Sequence, residues 1–302
     1  MITSIFNRLL ISIAPKLPLS FIRKIAGRYV AGETQNSALN IIKELNNKGY
    51  SVTVDILGEH SQSKRTASLI REQYINLYVE IQSLNLDCNI SIKPTHLGLD
   101  VSRDCAQNNI FTLLKFAEKC NNFLRIDMEN SSVTDATIEL YKKCNDIYSE
   151  VGIVLQAYLY RSYDDLKTLS KNNNFNFRLC KGIYQENSDI AFQGRDEINN
   201  NFIKILRYAF ENEIYIGIAT HDLKLIECAY KMIEKMNISS EKYEFQVLYG
   251  VPMAGWLEKH IQNGYRVRIY VPFGQNWYEY SMRRLKENPK IANYIFKNIF
   301  RK

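Results

Sequence analysis

No CxxC pair occurs in this 302-residue chain. Its six cysteines (Cys88, Cys105, Cys120, Cys144, Cys180, Cys228) are scattered, with no histidine partners at zinc spacing. Such cysteines read as free thiols of a reducing compartment, and a cytoplasmic protein is the expectation. Only 13 glycines and 6 prolines are present, which excludes collagen-like and linker-dominated chains. No apolar run approaches the ~20 residues of a membrane-spanning helix. Neither a GxGxxG fingerprint nor a P-loop pattern is found, so the usual glycine-rich phosphate cradles are not indicated. Lys and Arg number 39 against 32 Asp and Glu, a net charge of +7. That excess suits acidic ligands or an anionic membrane surface, but the basic residues form no long run and nucleic acid is not expected.

What is present is an alternation. Short β-branched or aromatic runs are followed by a polar turn and a longer amphipathic stretch. The strand-like runs are Ser51–Leu57, Asn89–Lys93, Phe123–Met128, Val154–Tyr158, Phe177–Lys181, Tyr215–Thr220, Tyr243–Leu248 and Arg266–Val271. Helical stretches between and after them include Lys64–Ser83, Asp135–Tyr148, Glu197–Glu211, Leu223–Lys235 and Trp277–Lys286. Eight strands with helical crossovers imply an α/β fold, a (βα)8 TIM barrel, with an open doubly wound sheet as the alternative. The expected organisation is an N-terminal helical extension over 1–49, the barrel over 50–290 and a basic amphipathic tail over 291–302. Leu39, Ile41, Ile42 and Leu45 recur at helical spacing in the extension. The apolar segment Leu9–Ala14 reads as an amphipathic helix in preference to a signal peptide.

Barrel chemistry belongs at the C-terminal strand ends. Those positions carry Asp55 and Glu59, Lys93, Asp127 and Met128, Gln156, Arg178 and Lys181, Thr220 and His221, Gln246 and Tyr249, and Tyr270. Charges in apolar strands are costly unless paired or used. A single such charge is commonly a satisfied structural pair, whereas one polar group from nearly every strand suggests a binding mouth. Tyr280, Arg283, Arg284 and Glu287 share one face of the closing helix by their spacing. Two adjacent guanidiniums suit a carboxylate or phosphate, although a solvated helix end carrying an Arg283–Glu287 pair explains them equally well. His60, His96, His221 and His260 show no HxH or HExxH spacing, and no metal is expected.

These residues resemble a known family. Arg178-Leu-Cys-Lys-Gly-Ile-Tyr184 is similar to the RLVKGAY strand of proline dehydrogenases. Tyr270-Val-Pro-Phe-Gly274 and Tyr280-Ser-Met-Arg-Arg-Leu-Lys-Glu-Asn288 are similar to their YxPxG and YxxRRLxEN signatures. Supporting matches run in order from Ala31-Gly-Glu-Thr34 through Asp55-Ile-Leu-Gly-Glu59, Ile92-Lys-Pro-Thr-His-Leu-Gly98, Arg125-Ile-Asp-Met128 and Phe245-Gln-Val-Leu-Tyr-Gly250.

The resemblance implies a distorted barrel binding FAD. Its reaction oxidises L-proline to Δ1-pyrroline-5-carboxylate and passes electrons to a membrane quinone, with a separate pyrroline-5-carboxylate dehydrogenase acting downstream. It implies the monofunctional kind of enzyme. By resemblance, Asp127 and Arg178 are catalytic. Lys93, Leu179, Tyr184, Tyr270, Tyr280, Arg283, Arg284 and Glu287 bind substrate. Met128, Gln156, Arg178, Cys180, Lys181, Gly182, Thr220 and His221 bind the cofactor. Cys180 and Ile183 depart from the motif's valine and alanine, and Ile183 adds bulk at the pocket. Tyr270 stands where relatives preferring hydroxyproline have something smaller, which favours proline. The tail either covers the barrel, the preferred reading, or docks peripherally on the inner face of a membrane. A Schiff-base aldolase using Lys93 or Lys181, and a barrel serving only as a scaffold, are the competing readings.

Overall fold

The computed structural model describes residues 28–172 and 174–287, with side chains through Met282. Leu9–Ala14, the first part of the extension and the 291–302 tail lie outside the described residues.

Eight strands alternate with helices. After α1 (Gln35–Asn47) the order is β1 (Ser51–Ile56), α2 (Lys64–Ser83), β2 (Cys88–Ile92), α3 (Arg103–Lys119), β3 (Leu124–Ile126) and α4 (Thr134–Asn145). There follow β4 (Val151–Gln156), α5 (Ser162–Leu169), β5 (Asn176–Cys180), α6 (Arg195–Glu211), β6 (Tyr215–Ala219) and α7 (Leu223–Met236). The chain closes with β7 (Tyr243–Leu248), α8 (Trp256–Gln262), β8 (Val267–Phe273) and α9 (Trp277–Glu287). All neighbours pair in parallel and β1 pairs with β8, so the sheet closes into the expected barrel.

Local chemistry sets the helix starts. Side chains of Thr34, Ser63, Ser102 and Asp222 accept the otherwise unpaired N–H groups of Ser37, Thr66, Cys105 and Lys224. The Lys64–Ser83 helix matches the sequence reading at both ends. Strand β4 begins three residues earlier than expected, because Gly152 lies inside the strand and does not break it, and the strand stops at Gln156. A side chain there would meet the Arg125 guanidinium, with an added Cβ only 2.3 Å from Nη1.

Alternation along the strands divides the barrel into two environments. Val52, Val54 and Ile56, Ile90 and Ile92, Phe177 and Leu179, and their counterparts on the other strands are buried together beneath the helices. The opposite face of the same strands carries Thr53 and Asp55, Asn89 and Ser91, Arg125, Arg178, Glu244 and Gln246, and Arg268 and Tyr270. Barrel interiors are ordinarily filled by branched apolar residues. Here the apolar core is the barrel–helix layer, and the lumen is a polar column.

Helix α1 occupies the flank between β8 and β1, packing on both strands. Its approach is fixed at the mouth end, where Ala31 N donates to Pro272 O and Gly274 N donates to Gly32 O. With that flank filled, α9 starts directly after β8 at the C-terminal end. Trp277, Tyr280, Ser281 and Met282 are buried there.

Candidate active site

The polar groups at the strand ends form one continuous network. Asp127, at the end of β3, accepts hydrogen bonds from Ser91 Oγ at 2.6 Å, Arg178 Nη1 at 2.7 Å and Tyr270 OH at 2.8 Å. Burial opposes its ionisation. The Arg178 and Lys93 cations more than offset this and hold the carboxyl below its ordinary value. Asp127 is therefore an ionised anchor in the resting site.

Lys93 Nζ donates to Asp55 Oδ2 at 2.7 Å. Burial pulls the Lys93 pKa down, but Asp55 and Asp127 outweigh it and drive the value upward. The ammonium stays charged. A Schiff-base lysine must instead be deprotonated to attack a carbonyl. Lys181 is committed as well, donating to Asp222 Oδ2 at 2.7 Å. Neither lysine suits the aldolase reading.

Arg178 is the centre of the mouth. It is buried, its guanidinium lies over the Tyr270 ring at 5.0 Å, and Nε donates to Gln246 Oε1 at 2.6 Å. With Nη1 on Asp127, two of its three nitrogens are fixed. Nη2 is buried and has no hydrogen-bond partner. An orphaned guanidinium donor is expensive to bury, and this one stands beside the strand ends, where an acceptor on a bound group would satisfy it.

The β5 and β6 ends contribute a second group. Lys181 and Arg195 both bind Asp222, at 2.7 and 2.8 Å, with one cation in excess. Burial opposes the charge on Asp222, and the two cations overcome it, so its pKa falls. Asp222 also caps α7 and receives Thr220 Oγ1 as acceptor for its own N–H at 3.1 Å. His221 Nε2 accepts from Leu248 N at 3.0 Å, which fixes the ring orientation. Gly182 adopts φ +103°, and an added Cβ would lie 2.2 Å from the Tyr158 ring. Only glycine fits that backbone and that approach.

Of the other expected residues, Met128 and Gln156 are buried beside the mouth, and Gln156 Nε2 donates to Glu129 O at 2.8 Å. Cys180 is half-buried, and burial pushes its thiol up to about 11, leaving it protonated. Tyr184 is half-buried in the loop after β5, and Tyr280 is buried on α9. Arg283, Arg284 and Glu287 fall on α9 near Tyr280, and their side chains lie outside the described residues. Leu179 is a correction. It is fully buried and, by strand alternation, sits opposite Arg178 in the apolar layer beneath the helices, away from the lumen.

Sequence reasoning missed Ser91, Glu129, Asp222, Arg195, Glu244 and Arg268. Glu129 is held by Thr95 through both its N–H and its hydroxyl, and burial pushes its pKa up to about 7. Among the described residues, no three His, Cys, Asp or Glu side chains are grouped to hold a metal ion.

A proline dehydrogenase family model matches residues 38–295. The chain belongs to the proline dehydrogenase family. It is 38% identical over 280 residues to proline dehydrogenase 2 of Bacillus subtilis, covering 93% of this chain and 92% of that protein. Against the proline dehydrogenase of Deinococcus radiodurans it is 29% identical, covering 92% and 90%. Its fold is similar to proline utilization A of Bdellovibrio bacteriovorus inactivated by N-propargylglycine. The TM-score is 0.82 at 26% identity, covering 88% of this chain and 32% of that one. Proline oxidation is the activity that membership carries, and the polar mouth is the candidate place for it.

Proposed function

We propose that this chain oxidises L-proline to Δ1-pyrroline-5-carboxylate with FAD held at the C-terminal mouth of the barrel and a membrane quinone as final acceptor. The observation that carries the flavin reading is the buried, unpartnered Arg178 Nη2 at the C-terminal strand ends, a donor that an acceptor atom of a bound flavin would satisfy. The Lys181–Asp222–Arg195 group, with its surplus cation, fits a pyrophosphate, and Gly182 permits close approach. Thr220, His221, Gln156, Met128 and Cys180 complete the cofactor wall.

FAD, when bound, would supply the hydride acceptor and the redox link to a quinone. The protein's share is orientation and electrostatics. Proline loses a hydride from C5, the ring carbon beside nitrogen that does not bear the carboxylate, to the acceptor and a proton from nitrogen to solvent, and the C=N bond forms between those two atoms. No nucleophile is needed. Arg283 and Arg284 clamp the substrate carboxylate, with Glu287 steadying the pair, and Tyr184 and Tyr280 flank the ring. Tyr270 keeps its phenol on Asp127 and its ring under Arg178, so it shapes the pocket and fixes the cation together. Lys93, held charged by Asp55, adds positive potential beside an anionic substrate. Arg178 cannot act as a base, and its fixed charge favours negative charge developing at the acceptor. A downstream dehydrogenase acting on the product remains part of the proposal, as does peripheral contact with a membrane. No helix among the described residues is long and apolar enough to cross one.

The test is product identity. Purified protein given FAD, L-proline and a soluble quinone should form a product two hydrogens lighter than proline by mass spectrometry. Turnover should be lost when either FAD or proline is withheld. Release of a cleaved carbonyl fragment, or borohydride trapping of substrate on Lys93, would overturn the reading.

A further inference from the structure

Beneath Arg178 runs a hydrogen-bonded chain that ends at a buried carboxylate. Arg178 Nε donates to Gln246 Oε1 at 2.6 Å, and Gln246 Nε2 donates to Glu244 Oε1 at 2.6 Å. Arg268 Nε donates to the same oxygen at 2.7 Å, while its Nη1 donates to Val52 O at 2.9 Å. Glu244 and Gln246 are buried, and both lie on the lumen side of β7. Burial opposes the charge on Glu244, but Arg268 more than offsets it and holds the carboxyl below its ordinary value.

A side-chain amide can present either its oxygen or its nitrogen, and a buried glutamine has no intrinsic preference between them. An ionised carboxylate only accepts. Glu244 therefore forces the Gln246 NH2 group toward itself, which turns the Gln246 carbonyl toward Arg178. Were the amide reversed, Arg178 Nε would face another donor. The space for this amide comes from Gly217 on β6, where an added Cβ would stand 2.4 Å from Gln246 Nε2.

We infer that Glu244 is a positioning residue for this reaction. It acts through the fixed polarity of Gln246 to set the plane of the Arg178 guanidinium, and so the direction in which Nη2 points. Arg268 keeps the carboxylate ionised, and Gly217 leaves room for the relay. The inference rests on the flavin reading of the mouth only for its consequence. The relay itself is internal to the barrel.

Two variants test it in the flavin-loaded protein. Gly217→Ala displaces the amide without changing any charge. Glu244→Gln removes the acceptor-only end. In both, the flavin midpoint potential should fall by about 30 mV, a tenfold shift for a two-electron couple. The exchange of the Arg178 Nε–H, followed by NMR with labelled arginine, should quicken about tenfold as its acceptor on Gln246 is displaced. Loss of the Glu244 charge by itself would raise the potential, so the sign separates positioning from simple electrostatics. Flavin-bound variants with an unchanged or raised potential and unchanged exchange would overturn the inference. If Glu244→Gln fails to fold, Gly217→Ala decides alone. A wild-type chain that binds no flavin would overturn the functional reading, and the exchange measurement would then decide the relay.

Discussion

Replacing Lys93 by Met leaves Asp55 as an unpaired buried carboxylate. The Asp55 side chain is 2% exposed and that of Lys93 14%, so solvent screens the pair weakly. What remains for Asp55 is neutral: the Tyr74 hydroxyl at 3.3 Å, a long bond, and the Tyr270 phenol, which is shared with Asp127. Removing one partner of a buried pair costs about 3–5 kcal/mol, chiefly because the survivor keeps its desolvation penalty. For a chain of this size that corresponds to a Tm loss of roughly 6–10 °C, at ~2 °C per kcal/mol. The assay is thermal unfolding followed by circular dichroism. Adding Asp55→Asn to Lys93→Met should restore at least half of the loss, since no charge is then stranded.

The sign of the pH effect follows. Burial and the neighbouring Asp127 hold the folded pKa of Asp55 above its ordinary value even with Lys93 beside it, and removing the Lys93 cation raises it further. The variant should therefore regain stability as pH falls and lose it as pH rises through that folded pKa. A Lys93→Met protein within about 1 kcal/mol of wild type, or a double variant no more stable than the single one, would refute the reasoning.

Three further outcomes are expected. Glu129→Gln should gain on wild type as pH rises from 5 to 8. The Glu129 pKa of about 7 in the fold against 4.5 ordinarily means its contribution is present below 4.5 and lost as pH climbs through 7, about 3 kcal/mol in all, read as a widening Tm difference. Gly182→Ala should weaken flavin retention about tenfold or more in equilibrium dialysis, because both φ +103° and the Tyr158 ring resist a side chain. Arg283→Met should abolish proline saturation while flavin stays bound, and unchanged proline affinity would remove Arg283 from the carboxylate clamp.

The barrel was legible because its apolar signal is simple. Alternation on β1, β2 and β8 and helical spacing in Lys64–Ser83 survive in one sequence without help. The misplaced start of β4 has a tertiary cause: Gly152 reads as a breaker locally, yet the fold needs it for the guanidinium of a residue on β3. The mouth was legible to the extent that its residues sit at strand ends. Gln246 and Tyr270 stood out there, while Glu244 and Arg268 lie two residues deeper on the same strands and were passed over. The available signal was period two: a charge two places before each candidate, on the same face. Leu179 was misassigned because proximity along a motif does not respect which side of the strand a residue faces.

The central claim is that this mouth holds a flavin that proline reduces. Purified protein supplied with FAD should show bound flavin absorbance that bleaches when L-proline is added without oxygen, and returns when a quinone follows. Bound flavin that stays oxidised under saturating proline would contradict it.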